Sequence, residues 1–544
     1  MSDPAGTATT DPPTDTTTGG LVRSSGIVAV GTLLSRVTGL VRTSMLAWAL
    51  GVAGVGASYS LANNTPNMIY DLLLGGVLTA TLVPALVSNR ERRNDRGTDA
   101  ILTVATVVLF VITIATVLLA PVIVSLYALL AEGGADAYTP QEQALAVALL
   151  RLFAPQILFY GLTTLWSAFL NANRRFAAAA FAPIVNNLWM IVLLVAINRA
   201  LTTTDAGAIN EDLGLVLLLG LGTTLGIAAM ALVLWPAIVR ARLRWRWRFD
   251  LDDPAVRQVA RLSGWTFGYV AANQITLVVI IGLAGGQNPI WAFAYQFFQL
   301  PYGVFTVSVM TTFTPELASL HERGQRRAFN ERFLHGLRLV VLVLLPATVA
   351  FVLLARPIVE VLFVRGQFTA ADGAITASTL VAFGWGMLGF SLYLYVLRAF
   401  YARKDTRTPF LVNLVENALN IVLAIWLGSE AGVRPGVEGL AWSWSLSYSI
   451  AAVGAFVLLR RRTGPFGIRL AAGTTAPIAR MVVASVAMAV VVGILALVLP
   501  DSGFGAALAT VVVAGGIGTV AYLGVCLALG TSDVRELRRL LPGR

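Results

Sequence analysis

Two arginines inside an apolar run are the residues best suited to chemistry. Arg36 and Arg42 stand in SRVTGLVR, within a stretch that is otherwise apolar from residue 25 to 50. A guanidinium is always charged and presents a planar fork of donors, so a pair of them away from water suits an anionic group such as a phosphate. Six residues is about 600° of helix, so the two side chains point about 120° apart. That spacing suits two walls of one wide cavity. Gly39 between them lets a helix or a ligand approach closely. Arg36 lies too deep in the run to reach a headgroup layer by snorkelling, and an ionisable residue at that depth is a functional candidate.

Further polar residues recur in later apolar runs. Asn63, Asn67 and Asp71 in NNTPNMIYD follow an i, i+4, i+8 spacing and share one helix face. Asp71 is a candidate partner for Arg36 or Arg42, and Pro66 and Gly75–Gly76 allow a bend. Gln296 and Gln299 precede a break at Pro301–Gly303. These seven residues form the expected substrate-binding set. Asn413, Glu416 and Asn417 share a face of NLVENALN. A carboxylate there is suited to a proton or a sodium ion, or to pairing with Arg398, so the three are the expected ion-coupling set. No cofactor is expected beyond such an ion or the membrane potential. The single cysteine, Cys526, excludes an internal disulfide and a cysteine metal site. His321 and His335 fall in or near a charged loop and are expected to be solvated. No metalloprotease, P-loop or nucleophile-elbow motif occurs, so the chain is not expected to be an enzyme.

The elements that must position these residues are membrane helices. Only 12% of the 544 residues are charged and 57% are hydrophobic, with a mean hydropathy of +0.77. Such a chain cannot cover a water-facing surface, and lipid must solvate much of it. Spanning segments are expected at 25–50, 57–87, 101–130, 143–170, 178–198, 213–239, 263–284, 289–318, 334–355, 373–401, 409–428, 438–459, 477–499 and 505–529. Arginine-rich loops follow every even-numbered segment, as at Arg90–Arg96, Arg240–Arg248 and Arg460–Arg462, while the odd-numbered loops are poor in basic residues. The positive-inside rule then places both termini in the cytoplasm of a multi-pass plasma-membrane protein. The same rule accounts for the net charge of +11, so no nucleic-acid partner is expected.

An internal repeat divides the segments. LNANRRFAAAAFAPIVNN and FYARKDTRTPFLVNLVEN align with Arg174 on Lys404 and Asn187 on Asn417, and TLVPAL aligns with TFTPEL through Pro84 and Pro315. Six helices separate the copies. An even number preserves orientation, so the repeats are parallel. The fold class is an all-α polytopic membrane protein: two six-helix lobes plus two C-terminal helices. The expected organisation is a disordered cytoplasmic tail (1–23), a first lobe (24–240), an amphipathic cytoplasmic linker (241–262), a second lobe (263–462), and the last two helices with a cytoplasmic tail (463–544). Two parallel lobes flanking a cleft suit alternating access. A cationic first lobe argues against a cation antiporter.

At SRVTGLVRTSMLAWALG, PNMIYDLLLGGVLTATLVPAL, LNANRRFAAAAFAPIVNN and FYARKDTRTP, the chain resembles the MurJ (MviN) family of lipid II flippases, within the multidrug/oligosaccharidyl-lipid/polysaccharide exporter superfamily. The resemblance runs from about residue 24 to 530. It implies fourteen helices, a lipid-facing groove formed by the last two, and transport of undecaprenyl-pyrophosphate-linked peptidoglycan precursor from the cytoplasmic to the periplasmic leaflet. It implies lipid II and membrane lipids as ligands and cell-wall synthesis and division proteins as partners. Arg36 and Arg42 fall on the family's cavity arginines. Many members carry two basic residues where this chain has Tyr70 and Asp71, an acidic residue at the position of Gly75, and an Asp-Arg pair at Tyr295–Gln296. The preference for Arg over Lys resembles actinobacterial members, of a type without an appended pseudokinase region. The rival expectations are a flippase for another polyprenyl-linked glycan and a non-transporting scaffold for cell-wall assembly.

Overall fold

A computed structural model describes residues 18–72, 79–92, 94–132, 137–173, 175–240, 245–429, 432–464, 468–500, 502–531 and 533–534. The first lobe contains α1 (Thr18–Leu50), α2 (Val55–Tyr70), α3 (Thr79–Glu91), α4 (Asp95–Ala131), α5 (Pro140–Phe153), α6 (Pro155–Ala172), α7 (Phe176–Ala200), the short α8 (Ala206–Glu211), α9 (Leu213–Leu232) and α10 (Trp235–Arg240). The second contains α11 (Pro254–Ala284), α12 (Asn288–Pro301), α13 (Val307–Glu322), α14 (Arg326–Leu353), the short α15 (Ala355–Leu362), α16 (Ala370–Ala402), α17 (Arg407–Gly428) and α18 (Val437–Thr463). The chain then continues through α19 (Ile468–Val498) and α20 (Phe504–Ala528). Gly75–Gly76, expected at a bend, and Arg174 lie outside the described residues, as do the ends of both tails.

Eleven described stretches are long and apolar enough to cross a membrane. One of them, Phe267–Glu322, holds two of the expected segments, broken at Gly285–Gln287. Adding α1 and the α2–α3 pair gives about fourteen crossings. Several begin earlier than the apolar pattern suggests, because capping residues extend them into the polar zone. Asp253 accepts from the Ala255 amide at 2.9 Å and Pro254 occupies the first helical position, so α11 starts nine residues before the apolar run at 263. Asn94 starts α4 in the same way.

The repeat is visible in packing. In the first lobe α1 packs on α7, α2 on α5, α3 on α4, and α7 on α9; in the second α11 packs on α17, α12 on α16, α13 on α14, and α17 on α18. Helix starts recur at the same interval: Asp95 and Arg326 are 231 residues apart, and Pro140 and Ala370 are 230 apart. Matching caps fix one of these starts. Thr139 and Glu142 form a capping box at α5, and Thr369 and Asp372 form one at α16.

Glycines let the second lobe close tightly. A Cβ at Gly386 of α16 would lie 2.6 Å from Ser445 Cβ of α18, and one at Gly389 would lie 2.9 Å from Ser449 Cα. Small residues facing each other allow this approach. Gly386→Val is expected to lower stability by about 1–3 kcal/mol through overpacking, read as a fall in thermal unfolding temperature in detergent; an unchanged temperature would contradict the packing described. The interface below is rich in aromatic rings: Phe298 and Trp444 centroids are 4.8 Å apart, and Phe390 and Tyr448 4.9 Å.

α19 and α20 pair with each other and pack on α14 and α15. Tyr522 Oη donates to the Leu342 carbonyl at 2.9 Å. The lobes meet at several places. α4 and α11 run together, and the loop after α1 lies against the turn before α16: the Gln367 amide donates to the Trp48 carbonyl at 3.0 Å. Gly366, at φ 62°, passes Trp48 so closely that a Cβ would lie 2.8 Å from its Nε1.

The segment from 245 is tied to α4: Trp245 Nε1 donates to Thr103 Oγ1 at 3.1 Å, and the Arg246 and Arg248 amides donate to Asp99 and Thr103 of α4. Beside this strap, Arg248 pairs with Asp250 at 2.8 Å and holds its carboxyl below the usual range. His335 is not solvated, because α14 starts at Arg326 and carries it inward. Its Nδ1 lies 3.1 Å from Arg338 Nη2 and 3.7 Å from the buried Asp533 carboxylate, beyond α20.

Candidate functional site

The polar residues of α1, α2 and α12 converge between the lobes. A cavity of about 400 Å³ is lined by Arg36, Gly39 and Arg42 of α1, Tyr70 of α2, Tyr160 of α6, Asn186 and Asn187 of α7, and Gln296 and Gln299 of α12. A second space of about 180 Å³ shares Arg42, Tyr160, Asn186 and Gln296, and adds Asn63 and Asn67 of α2 and Gln156 of α6. Among the described residues, Arg36 and Arg42 are the only charged side chains lining either space. The surrounding groups are neutral amides and hydroxyls, so the site is positive with no carboxylate in its lining to cancel it. A cavity built this way favours an anionic, polar headgroup.

Each wall is positioned by specific contacts. Asn187 donates to the Ser35 carbonyl at 3.1 Å and to Thr38 Oγ1 at 3.0 Å, tying α7 to the turn of α1 that carries Arg36. Thr43, one residue past Arg42, donates to Gln296 Oε1 at 2.9 Å and joins α1 to α12 across the lobes. Asn288 donates to Ser60 at 3.2 Å, a second polar link across the lobes, here between α12 and α2. In α2, Asn67 donates back to the Asn63 carbonyl at 2.9 Å. Tyr70 and Tyr160 rings lie 4.8 Å apart.

The break in the eighth segment shapes the site. After Pro301 the chain widens into a π turn over Tyr302–Thr306, a common response to a proline that removes a backbone donor. This turn holds Gly303 against Arg36: a Cβ on Gly303 would lie 2.6 Å from Arg36 Nη2. The α1 guanidinium thus reaches the second lobe.

Six of the seven residues expected to bind substrate line these two spaces: Arg36, Arg42, Asn63, Asn67, Gln296 and Gln299. Asp71 does not. It is exposed in a widened turn at the end of α2, and among the described residues no ion pair joins it to either arginine. Sequence reasoning passed over Asn186, Tyr160 and Gly303. The Asn186–Asn187 pair stands three and four residues after Pro183, another residue of the wall, and that helical spacing was the available signal. Gly303 lies in an already noted break, but its contact with Arg36 is a matter of tertiary geometry.

The other polar set is separate and lies within the second lobe. Asn413 and Asn417 both donate to Asn273 Oδ1 at 2.8 Å, and Ser447 donates to Glu416 Oε1 at 3.0 Å. The buried Glu416 Oε2 and Asn413 Oδ1 have no hydrogen-bond partner among the described residues. Arg398 is exposed and does not pair with Glu416 among the described residues. No cluster of three or more His, Cys, Asp or Glu side chains occurs among the described residues.

Two parallel six-helix lobes closing on a polar inter-lobe cavity define a membrane transporter. Solved structures agree on the fold: a lipid II flippase MurJ in an inward closed conformation superimposes with a TM-score of 0.72 at 20% identity, covering 94% of this chain and 99% of that one. An inward-facing multidrug-resistance MATE transporter of the MOP superfamily superimposes with 0.62 at 14% identity, covering 80% of this chain and 98% of that one. The family model for lipid II flippase MurJ matches residues 46–516, and the chain belongs to that family. Among curated relatives, a probable lipid II flippase MurJ of Rhizobium tropici is 30% identical over 451 residues, 81% of each chain. The lipid II flippase MurJ of Burkholderia cenocepacia is 27% identical over 454 residues, 81% of this chain and 84% of that one.

Proposed function

We propose that this protein moves lipid II from the cytoplasmic to the periplasmic leaflet by alternating access of its two lobes. The observation that carries the reading is the isolated pair Arg36 and Arg42 in an otherwise neutral cavity between lobes. The pyrophosphate meets these two guanidinium groups. The amides of Asn63, Asn67, Gln296 and Gln299 face the sugar and peptide, and the prenyl tail stays in lipid. The arginine-rich loops, and with them both termini, lie in the cytoplasm. Enzymes of cell-wall synthesis and division are the natural neighbours of such a carrier. The deciding experiment is lipid II translocation in cells depleted of their own flippase. Restored translocation supports the reading; absence of transport by well-inserted protein would refute it. A scaffold would restore growth only where another carrier is present.

The direction of transport needs a source of free energy. Glu416, Asn413 and Asn417 are the proposed coupling site, for a sodium ion or a proton, because buried oxygens without partners gather there. Glu416→Gln keeps the shape and removes the charge. It is expected to reduce transport at least tenfold and to abolish its response to a sodium or proton gradient. Unaltered gradient dependence would place ion coupling at another site; no gradient response in the wild type would leave the membrane potential as the drive, worth about 2.3 kcal/mol per elementary charge per 100 mV.

A further inference from the structure

A second basic cavity lies at the arginine-rich end of the second lobe, remote in sequence from the α1 and α2 residues of the inter-lobe site. It is about 180 Å³ in volume and is lined by His321, Gly324, Arg326, Phe329, Asn330, Arg403, Arg462 and Thr463. Three arginines from three different elements therefore meet in one small space. They come from the start of α14, the turn after α16 and the end of α18.

The local backbone explains the convergence. Lys404 has φ 60° and is the one non-glycine residue with positive φ among the described residues. Its left-handed turn redirects the chain directly after Arg403, and Lys404 Nζ is anchored outside by Glu322 at 3.0 Å. Asp405 accepts from the Thr408 amide and hydroxyl at 3.0 and 2.8 Å and pairs with Arg462. Burial would raise the Asp405 carboxyl, but these contacts outweigh it and hold the group below the usual range. Arg462 is thereby fixed, with one carboxylate set against three cations.

Arg403 is the unsatisfied member. Its Nη1 is buried and has no hydrogen-bond partner among the described residues. Burial, followed by the nearby Arg462 and Arg326, weakens its hold on its proton. A buried donor without a partner is costly, and like charges add to the cost unless an anion is bound. The N-terminus of α14, whose Gln325 cap makes no side-chain hydrogen bond, adds the positive end of a helix dipole at the same place.

We infer that Arg326, Arg403 and Arg462 form a phosphate-oxyanion site on the cytoplasmic face of the second lobe, separate from the transport cavity. The oxyanion is presented either by the headgroup of an anionic phospholipid or by soluble phosphate. The volume suits one phosphate group and a little of its carrier. It does not suit the disaccharide headgroup of the transported lipid. A bound oxyanion cross-links the cytoplasmic ends of α14, α16 and α18, and so ties lobe rigidity to the anion content of that face.

The test uses the full chain in nanodiscs. One arm compares discs of phosphatidylcholine alone with discs containing phosphatidylglycerol, scoring lipids retained by native mass spectrometry. The other titrates inorganic phosphate into phosphatidylcholine discs and follows thermal unfolding. The wild type and Arg240→Gln, which alters a basic residue of the first lobe outside this cavity, are expected to bind alike. Arg326→Gln and Arg403→Gln are each expected to weaken binding at least tenfold. Binding in the lipid arm alone identifies a headgroup; binding in the phosphate arm identifies a soluble anion; either supports the site. Binding by both variants at the wild-type level, or no binding in either arm, overturns it. Should Arg403→Gln fail to fold, the exposed Arg326 carries the test. Neither outcome bears on the central cavity.

Discussion

Arg36→Ala and Arg42→Ala, made separately, are each expected to leave insertion and folding intact while reducing lipid II translocation at least a hundredfold. Each removes half of the formal charge lining the central spaces. A hydrogen bond to a charged partner contributes about 1.5–3 kcal/mol, and a fork-shaped contact to phosphate makes two. Loss of one guanidinium therefore costs about 3 kcal/mol or more, roughly two powers of ten. No carboxylate in the lining is left unpaired by the change, so the fold has little reason to suffer. Lysine at either position keeps the charge but loses the planar fork, and should restore only part of the activity. The measurement is translocation in cells depleted of their own flippase, normalised to membrane-inserted protein. Full activity in both alanine variants would remove the cavity from the mechanism.

Gly303→Val should come close to Arg36→Ala in effect, although it changes no charge and touches no residue of the first lobe by sequence. A side chain at 303 occupies the place of the Arg36 guanidinium. The arginine is flexible and will swing away, so the cost falls on its position and not on folding. Alanine adds a single carbon, and a smaller loss is expected from it. The informative measurement is the double variant. If Gly303 acts through Arg36, then Arg36→Ala combined with Gly303→Val will be no worse than Arg36→Ala alone. Strictly multiplicative losses would show that Gly303 matters for another reason, such as flexibility of the π turn.

Much of this architecture was legible in the chain. Apolar length and alternation of arginine-rich loops locate the crossings, since lipid enforces both. The pairing of Pro84 with Pro315 and Asn187 with Asn417 exposes the repeat, which the matching contacts of the two lobes display. The boundaries were less legible. Apolar runs mark where lipid begins, whereas Asn94, Asp253 and Thr369 mark where helices begin, in the polar zone. The cavity arginines stood out because a charge in an apolar run is conspicuous. Asn186, Tyr160 and Gly303 did not, because amides, phenols and glycines are common in such runs and gain meaning only from their neighbours. Asp71 shows the opposite failure. Its spacing matched Asn63 and Asn67, and its backbone is still helical, with its amide donating to the Asn67 carbonyl, but the chain widens into a π turn there and the side chain is exposed, outside the lining of either space. His335 was misjudged for a related reason, because the charged loop is shorter than the charges suggest.

The contact between Trp48 and Gln367 has a mechanical consequence. It joins the last turn of α1 to the turn before α16 by a main-chain hydrogen bond and a glycine pressed against an indole. A hydrogen bond of this kind is worth about 1 kcal/mol net. Unlike a buried ion pair, it leaves no naked charge behind when it parts. Parting this clasp therefore exposes no charge and gives up only one main-chain hydrogen bond and one close glycine–indole contact, so the clasp itself adds little to the work of separating the two segments.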